Sequence, residues 1–80
     1  MITIHFFAGL RELAKLSHLS LPWVENMTVA SLRVSLCTSY PKLAGLLVRS
    51  SFAINDQISS DDQSIPDNAD IAILPPVSGG

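Results

Sequence analysis

Thr28 opens the one long helical pattern in this sequence, and that pattern sets what the rest of the chain must do. Val29, Leu32, Leu36 and Tyr40 recur at helical spacing and form one apolar stripe. Ser31, Arg33, Ser35 and Ser39 fall on the wet side. Thr28 suits the N-cap, because its hydroxyl can accept from an orphan backbone N–H. Pro41 stops the helix, since the residue before a proline is pushed out of the helical region. Lys42 to Val48 has room for another helical turn. A single amphipathic helix is not stable alone in water, so its stripe needs an apolar surface from elsewhere in the chain.

The flanking segments supply strands. Ile2, Ile4 and Phe6 alternate with Thr3, His5 and Phe7, which is the period of a half-buried strand. Residues 8–16 then switch to helical spacing, with Leu10, Leu13 and Ala14 on one face and Arg11, Glu12 and Lys15 pointing away. Leu19, Leu21 and Trp23 alternate again, predicting a strand over residues 18–24, and Pro22 within it requires a sheet edge. Phe52 to Asn55 reads as a strand, Asn55-Asp56-Gln57 as a turn, and Gln57 to Ser59 as a short return strand. Residues 60–69 are rich in Asp, Ser, Pro and Asn and read as a loop. Asp70 to Leu74 is the last strand. A small mixed sheet of about five strands with the main helix across one face buries both apolar surfaces. This order predicts an α+β protein of the β-grasp, or ubiquitin-like, type.

The 80 residues suffice for one domain. An apolar fraction of 48% excludes a disordered chain. No apolar run approaches the ~20 residues of a membrane helix, and the N-terminal segment has no basic region or cleavage site of a signal peptide. Cys37 is the single cysteine, so no internal disulfide forms and a cytoplasmic protein is expected. A net charge of −2 argues against nucleic acid as the main partner. All five basic residues precede residue 50, and five of the seven acidic ones follow it. This asymmetry either steers a basic partner or reflects the preference of Asp for turns.

After Leu74 the chain changes character. Residues 1–74 form the expected domain, and residues 75–80 a flexible C-terminal tail. Pro75-Pro76 favours a stiff extended conformation, and Val77-Ser78-Gly79-Gly80 follows without a charged side chain. Six extended residues reach on the order of 20 Å. A tail without side chains at its last two positions can thread a narrow channel and present a carboxylate. That carboxylate is ionised at neutral pH, its pKa lying near ~3.5, and can attack the α-phosphate of ATP to give an acyl-adenylate. Sulfur then replaces AMP and leaves a thiocarboxylate. The plain alternative is a frayed terminus.

The segments Phe6-Phe7-Ala8-Gly9-Leu10-Arg11-Glu12-Leu13-Ala14, Phe52-Ala53-Ile54-Asn55 and Leu74-Pro75-Pro76-Val77-Ser78-Gly79-Gly80 resemble the small, sulfur-carrying subunit of molybdopterin synthase. The resemblance spans the whole chain, and the Pro-Pro-Val-Ser-Gly-Gly ending is its most specific part. The sulfur carrier of thiamine synthesis also ends in Gly-Gly but usually lacks the Leu-Arg-Glu-Leu segment and the Pro-Pro pair. The resemblance implies that a ubiquitin-activating-like adenylyltransferase activates Gly80 with ATP. The thiocarboxylate then passes its sulfur to cyclic pyranopterin monophosphate on the large synthase subunit, in an assembly of two small and two large subunits. It also implies a donor without a catalytic pocket or a bound cofactor of its own. Leu74 departs from the family, where relatives often carry an aromatic. The alternatives are a carrier for thiamine or another pathway, or a ubiquitin-like protein modifier.

Gly80 is the expected reactive position, with Gly79 giving clearance. Pro75, Pro76, Val77 and Ser78 are expected to line a partner's tunnel. Phe7 either joins Leu74 in an apolar docking patch or is partly covered core. Arg11 is either a partner's ion pair or a solvated side chain. Cys37 reads as a buried small hydrophobe, His5 as a residue on a sheet face, and His18 as part of a connection. Neither histidine has zinc-site spacing with Cys37, so no metal is expected. Asp61-Asp62 reads as a solvated loop.

Overall fold

The computed structural model describes residues 1–76. Five strands make one mixed sheet in the order β2-β1-β5-β3-β4. These are β1 (Ile2–Phe6), β2 (His18–Leu21), β3 (Ser51–Ile54), β4 (Gln57–Ser59) and β5 (Asp70–Leu74). β1 and β5 run parallel at the centre, and the other pairs are antiparallel. The helices are α1 (Ala8–Ala14), α2 (Val29–Ser39) and α3 (Ala44–Leu47), with a 3-10 turn over Pro41–Leu43. This is the ubiquitin-like β-grasp arrangement, α2 lying across one face of the sheet.

The core forms where the two periodicities meet. Ile2, Ile4 and Phe6 of β1, Ile71 and Ile73 of β5, and Phe52 and Ile54 of β3 face Val29, Leu32 and Leu36 of α2. Leu10, Leu43, Leu47 and Ile65 close its edges. Each such side chain contributes roughly 1.5–3 kcal/mol when fully withdrawn from water.

Capping fixes the start of α2. Thr28 Oγ1 accepts from Ser31 N at 3.2 Å, and Ser31 Oγ accepts from Thr28 N at 2.9 Å. The loop after β4 completes the cap: Val29 N donates to Gln63 O and Ala30 N to Asp61 O. The four N–H donors at this end, those of Thr28, Val29, Ala30 and Ser31, are thereby satisfied. The helix ends at Ser39, with Tyr40 out of the helical region before Pro41 (φ −129°, ψ 73°).

Four sequence expectations need correction. The second strand stops at Leu21 rather than reaching residue 24. Pro22 cannot donate to the ladder, and Trp23 instead turns its indole Nε1–H onto Ile65 O at 2.7 Å. The strand does lie at an edge. α1 ends at Ala14, because Lys15 takes the left-handed conformation (φ 59°). Leu13, expected on the covered face of α1, is 49% exposed.

The fourth concerns Arg33, which is not on the wet side: its side chain is only 16% exposed. Nη1 donates to Leu47 O at 2.6 Å and Ser50 O at 2.8 Å, and Nη2 to Asp61 Oδ1 at 2.7 Å. The guanidinium also lies 4.5 Å over the Phe52 ring. Asp61 is therefore a partner in a clamp joining α2, the end of α3 and the 60–64 loop, rather than a free loop carboxylate. The planar, delocalised guanidinium suits this half-buried position, since it carries several donors and stacks on an aromatic.

Candidate functional site

Alternation along five strands leaves one face of the sheet without helices. The register sets one row across it: His18, His5, Ala72, Ala53 and Ile58, on β2, β1, β5, β3 and β4 in turn. His18, expected in a connection, begins β2 and sits directly opposite His5. His5 Nε2 lies 3.2 Å from Asp70 Oδ1, and His18 Nδ1 3.3 Å from Ser17 Oγ. Among the described residues no three histidine, cysteine or acidic side chains come together to hold a metal ion. Cys37 is half-buried against the core.

The proposed contact residues gather where the chain leaves β5. The parallel pair Phe6 and Ile73 places Phe7, just past β1, next to Leu74 at the end of β5. Phe7 caps the start of α1 in an extended conformation and is 44% exposed. It borders a shallow depression of about 330 Å³ with His5, Ala72 and Asp70. Leu74 is half-buried at the edge of the open face, paired with Ser51. Arg11 stands one turn after Phe7 on α1, exposed and outside the ion pairs found among the described residues. Pro75 is half-buried and Pro76 exposed. The expectations for Val77, Ser78, Gly79 and Gly80 lie outside the described residues.

The turn from β1 into α1 carries backbone strain. Ala8 has φ 49°, a conformation that favours glycine. It redirects the chain immediately after Phe7, which leaves that ring at the rim of the sheet rather than within it. Residues held in sparsely populated backbone regions cluster at functional sites.

One open-face residue escaped sequence reasoning. Ile58 on β4 is 66% exposed and pairs with Ala53. The available signal was a lone β-branched side chain between Gln57 and Ser59, opposite a small residue. Phe7, Leu74 and Ile58 are thus apolar points on a face otherwise made of small and polar residues. An open face of this kind can dock against another protein, with aromatic and aliphatic anchors supplying most of the contact energy. No helix among the described residues is long and apolar enough to cross a membrane.

Comparisons with known proteins agree with this fold. The ThiS family matches residues 4–80. The solution structure of the small archaeal modifier protein 1 from Methanosarcina acetivorans is similar at 27% identity and a TM-score of 0.78, covering 99% of this chain and 95% of that one. In a complex of subunits 1 and 2 of the molybdopterin-converting factor from Helicobacter pylori, a chain is similar at 25% identity and a TM-score of 0.70. That match covers 99% of this chain and 97% of the other. The crystal structure of SAMP1 from Haloferax volcanii shares the fold at 21% identity and a TM-score of 0.83, covering 99% of this chain and 98% of that one.

Proposed function

Since this chain belongs to the ThiS family of ubiquitin-like sulfur carriers, we propose that it is the sulfur-donor subunit of a molybdopterin synthase, with Gly80 as the reactive position. The observation that carries the reading is that the family match runs through residue 80, so Gly79-Gly80 falls inside it. In the proposed cycle the Gly80 carboxylate attacks the α-phosphate of ATP on a ubiquitin-activating-like adenylyltransferase, and pyrophosphate leaves. A sulfur nucleophile at the oxidation level of hydrosulfide then displaces AMP. Two such thiocarboxylates, each returning to a carboxylate, deliver one sulfur apiece to cyclic pyranopterin monophosphate, building the dithiolene of molybdopterin. ATP belongs to the activating enzyme, and this chain binds no cofactor of its own.

In this reading the domain of residues 1–74 presents the tail of residues 75–80. Pro75 and Pro76 hold the tail extended away from β5. Val77 and Ser78 line the tunnel of the large subunit through backbone contacts, and Gly79 gives the clearance that a narrow channel needs. Phe7 and Leu74 anchor the open face on the large subunit, and Arg11 pairs with a partner carboxylate. Two small and two large subunits make the complex, in the cytoplasm. The activating enzyme and the large subunit use the same surface, so they compete. Similarity to subunit 1 or 2 of the Helicobacter pylori molybdopterin-converting factor supports this pathway.

A second reading, a protein modifier joined to lysines, is favoured by the similarity to the Methanosarcina acetivorans modifier. Both readings share the adenylate and divide afterwards. The deciding experiment supplies the thiocarboxylated chain to the large subunit with cyclic pyranopterin monophosphate. Formation of molybdopterin supports the synthase reading. Its absence, together with lysine conjugates of this chain in cells, supports the modifier.

A further inference from the structure

The helical layer carries a second unpartnered surface. A groove of about 380 Å³ runs between the end of α1 and the end of α2, lined by Leu13, Lys15, Tyr40, Pro41 and Lys42 among others. It lies on the opposite side of the sheet from the open face. Its volume is at the low end for ligand sites, room for a side chain or two rather than a cofactor.

Leu13 belongs to the apolar stripe of α1 with Leu10. Leu10 is fully buried, whereas Leu13 remains 49% exposed at this groove. The fold therefore covers only part of the apolar surface that α1 offers. Charge frames what remains. Lys15 and Lys42 stand at the groove, and neither is in an ion pair among the described residues. Arg11 lies one turn before Lys15 on α1 and extends the basic corner. No acidic side chain lines the groove. The chain is acidic overall at −2, so this corner runs against the net charge. The left-handed conformation of Lys15 (φ 59°) ends α1 there and sets this side chain at the mouth of the groove.

We propose that this groove docks an acidic segment of a protein partner, one apolar side chain of which inserts beside Leu13 and Tyr40 while flanking carboxylates meet Lys15 and Lys42. Burial of the apolar side chain supplies affinity, and the charge pairing supplies orientation and association rate. The site needs neither Gly80 nor the open face. A partner held here leaves both available, so a carrier can be retained while its tail is in use.

The test uses the full chain, labelled with ¹⁵N, and a capped peptide with two glutamates on either side of a leucine. Amide shifts at Leu13, Lys15, Tyr40 and Lys42 are expected, with a dissociation constant in the range of roughly 0.1–1 mM. Replacing the peptide leucine by serine, or its glutamates by lysines, should abolish binding. The double variant Lys15→Glu/Lys42→Glu should bind at least ~10-fold more weakly, a loss of about 1.4 kcal/mol. Both positions are exposed, and an unchanged melting temperature confirms that the variant is folded. A chain lacking Gly79-Gly80 should bind as well as the full chain, which keeps this result independent of the sulfur-transfer reading. No shifts, shifts confined to the open face, or undiminished binding by the double variant would overturn the proposal. So would concentration-dependent shifts at the same four residues without peptide, which would assign the groove to a second copy.

Discussion

The two faces of the sheet are built from the same strands, yet they carry opposite kinds of residue. On the covered face Ile2, Ile4, Phe6, Phe52, Ile71 and Ile73 are at most 1% exposed. On the open face the matching positions are Thr3, His5, Ala53, Asp70 and Ala72, with larger apolar groups only at Phe7, Leu74 and Ile58. The covered face stabilises the fold because each large side chain loses its contact with water. The open face contributes little to stability and leaves a flat surface with a few apolar anchors. Stability and contact are thus separated by the period of two in the strands.

The separation can be broken most severely at Phe52. Phe52→Ala should cost about 3–5 kcal/mol, read as a lower urea midpoint with an unchanged slope. The matching change on the open face, Ile58→Ser, should stay within about 0.5 kcal/mol. Equal losses at the two positions would contradict the division. Arg33→Ala comes next, at about 2–3 kcal/mol, because it strands the carbonyls of Leu47 and Ser50 and removes the stack on Phe52. Asp61→Asn keeps those contacts and should cost about 1 kcal/mol or less, since its carboxylate is largely exposed. The pair of melts separates the buried part of the clamp from its solvated end.

For the open face the expected effect is on binding. Phe7→Ala/Leu74→Ala should weaken the proposed complex with a synthase large subunit roughly tenfold or more by calorimetry, with less than about 1 kcal/mol lost in stability. Retained affinity would move the contact elsewhere on the molecule. A small gain is expected at the turn into α1: Ala8→Gly relieves a positive φ and should stabilise the chain by about 0.5–1 kcal/mol in thermal melts.

Much of this was legible in the sequence where local and global preferences agree. Thr28, Val29, Leu32 and Leu36 announce α2, and Asn55-Asp56, both at positive φ, announce the β3–β4 hairpin. Element order followed from the alternation of residues 2–7 and 70–74. The errors arose where long-range contacts decide. Arg33 looks solvated from its spacing alone, because its acceptors lie 14, 17 and 28 residues away. Trp23 fits a strand pattern until its N–H finds Ile65, 42 residues on. The loop of residues 60–69 gives no sign in its composition that its carbonyls cap α2. At the site, Phe7 and Leu74 could be named from the sequence, but the β1–β5 register that brings them side by side could not.

The central claim rests on the Gly80 carboxylate. The most direct measurement is the intact mass of the chain after incubation with an activating enzyme, ATP and a sulfur source. The account predicts a gain equal to one oxygen replaced by sulfur, absent from a chain that lacks Gly80. An unchanged mass, or the same gain without Gly80, would contradict it.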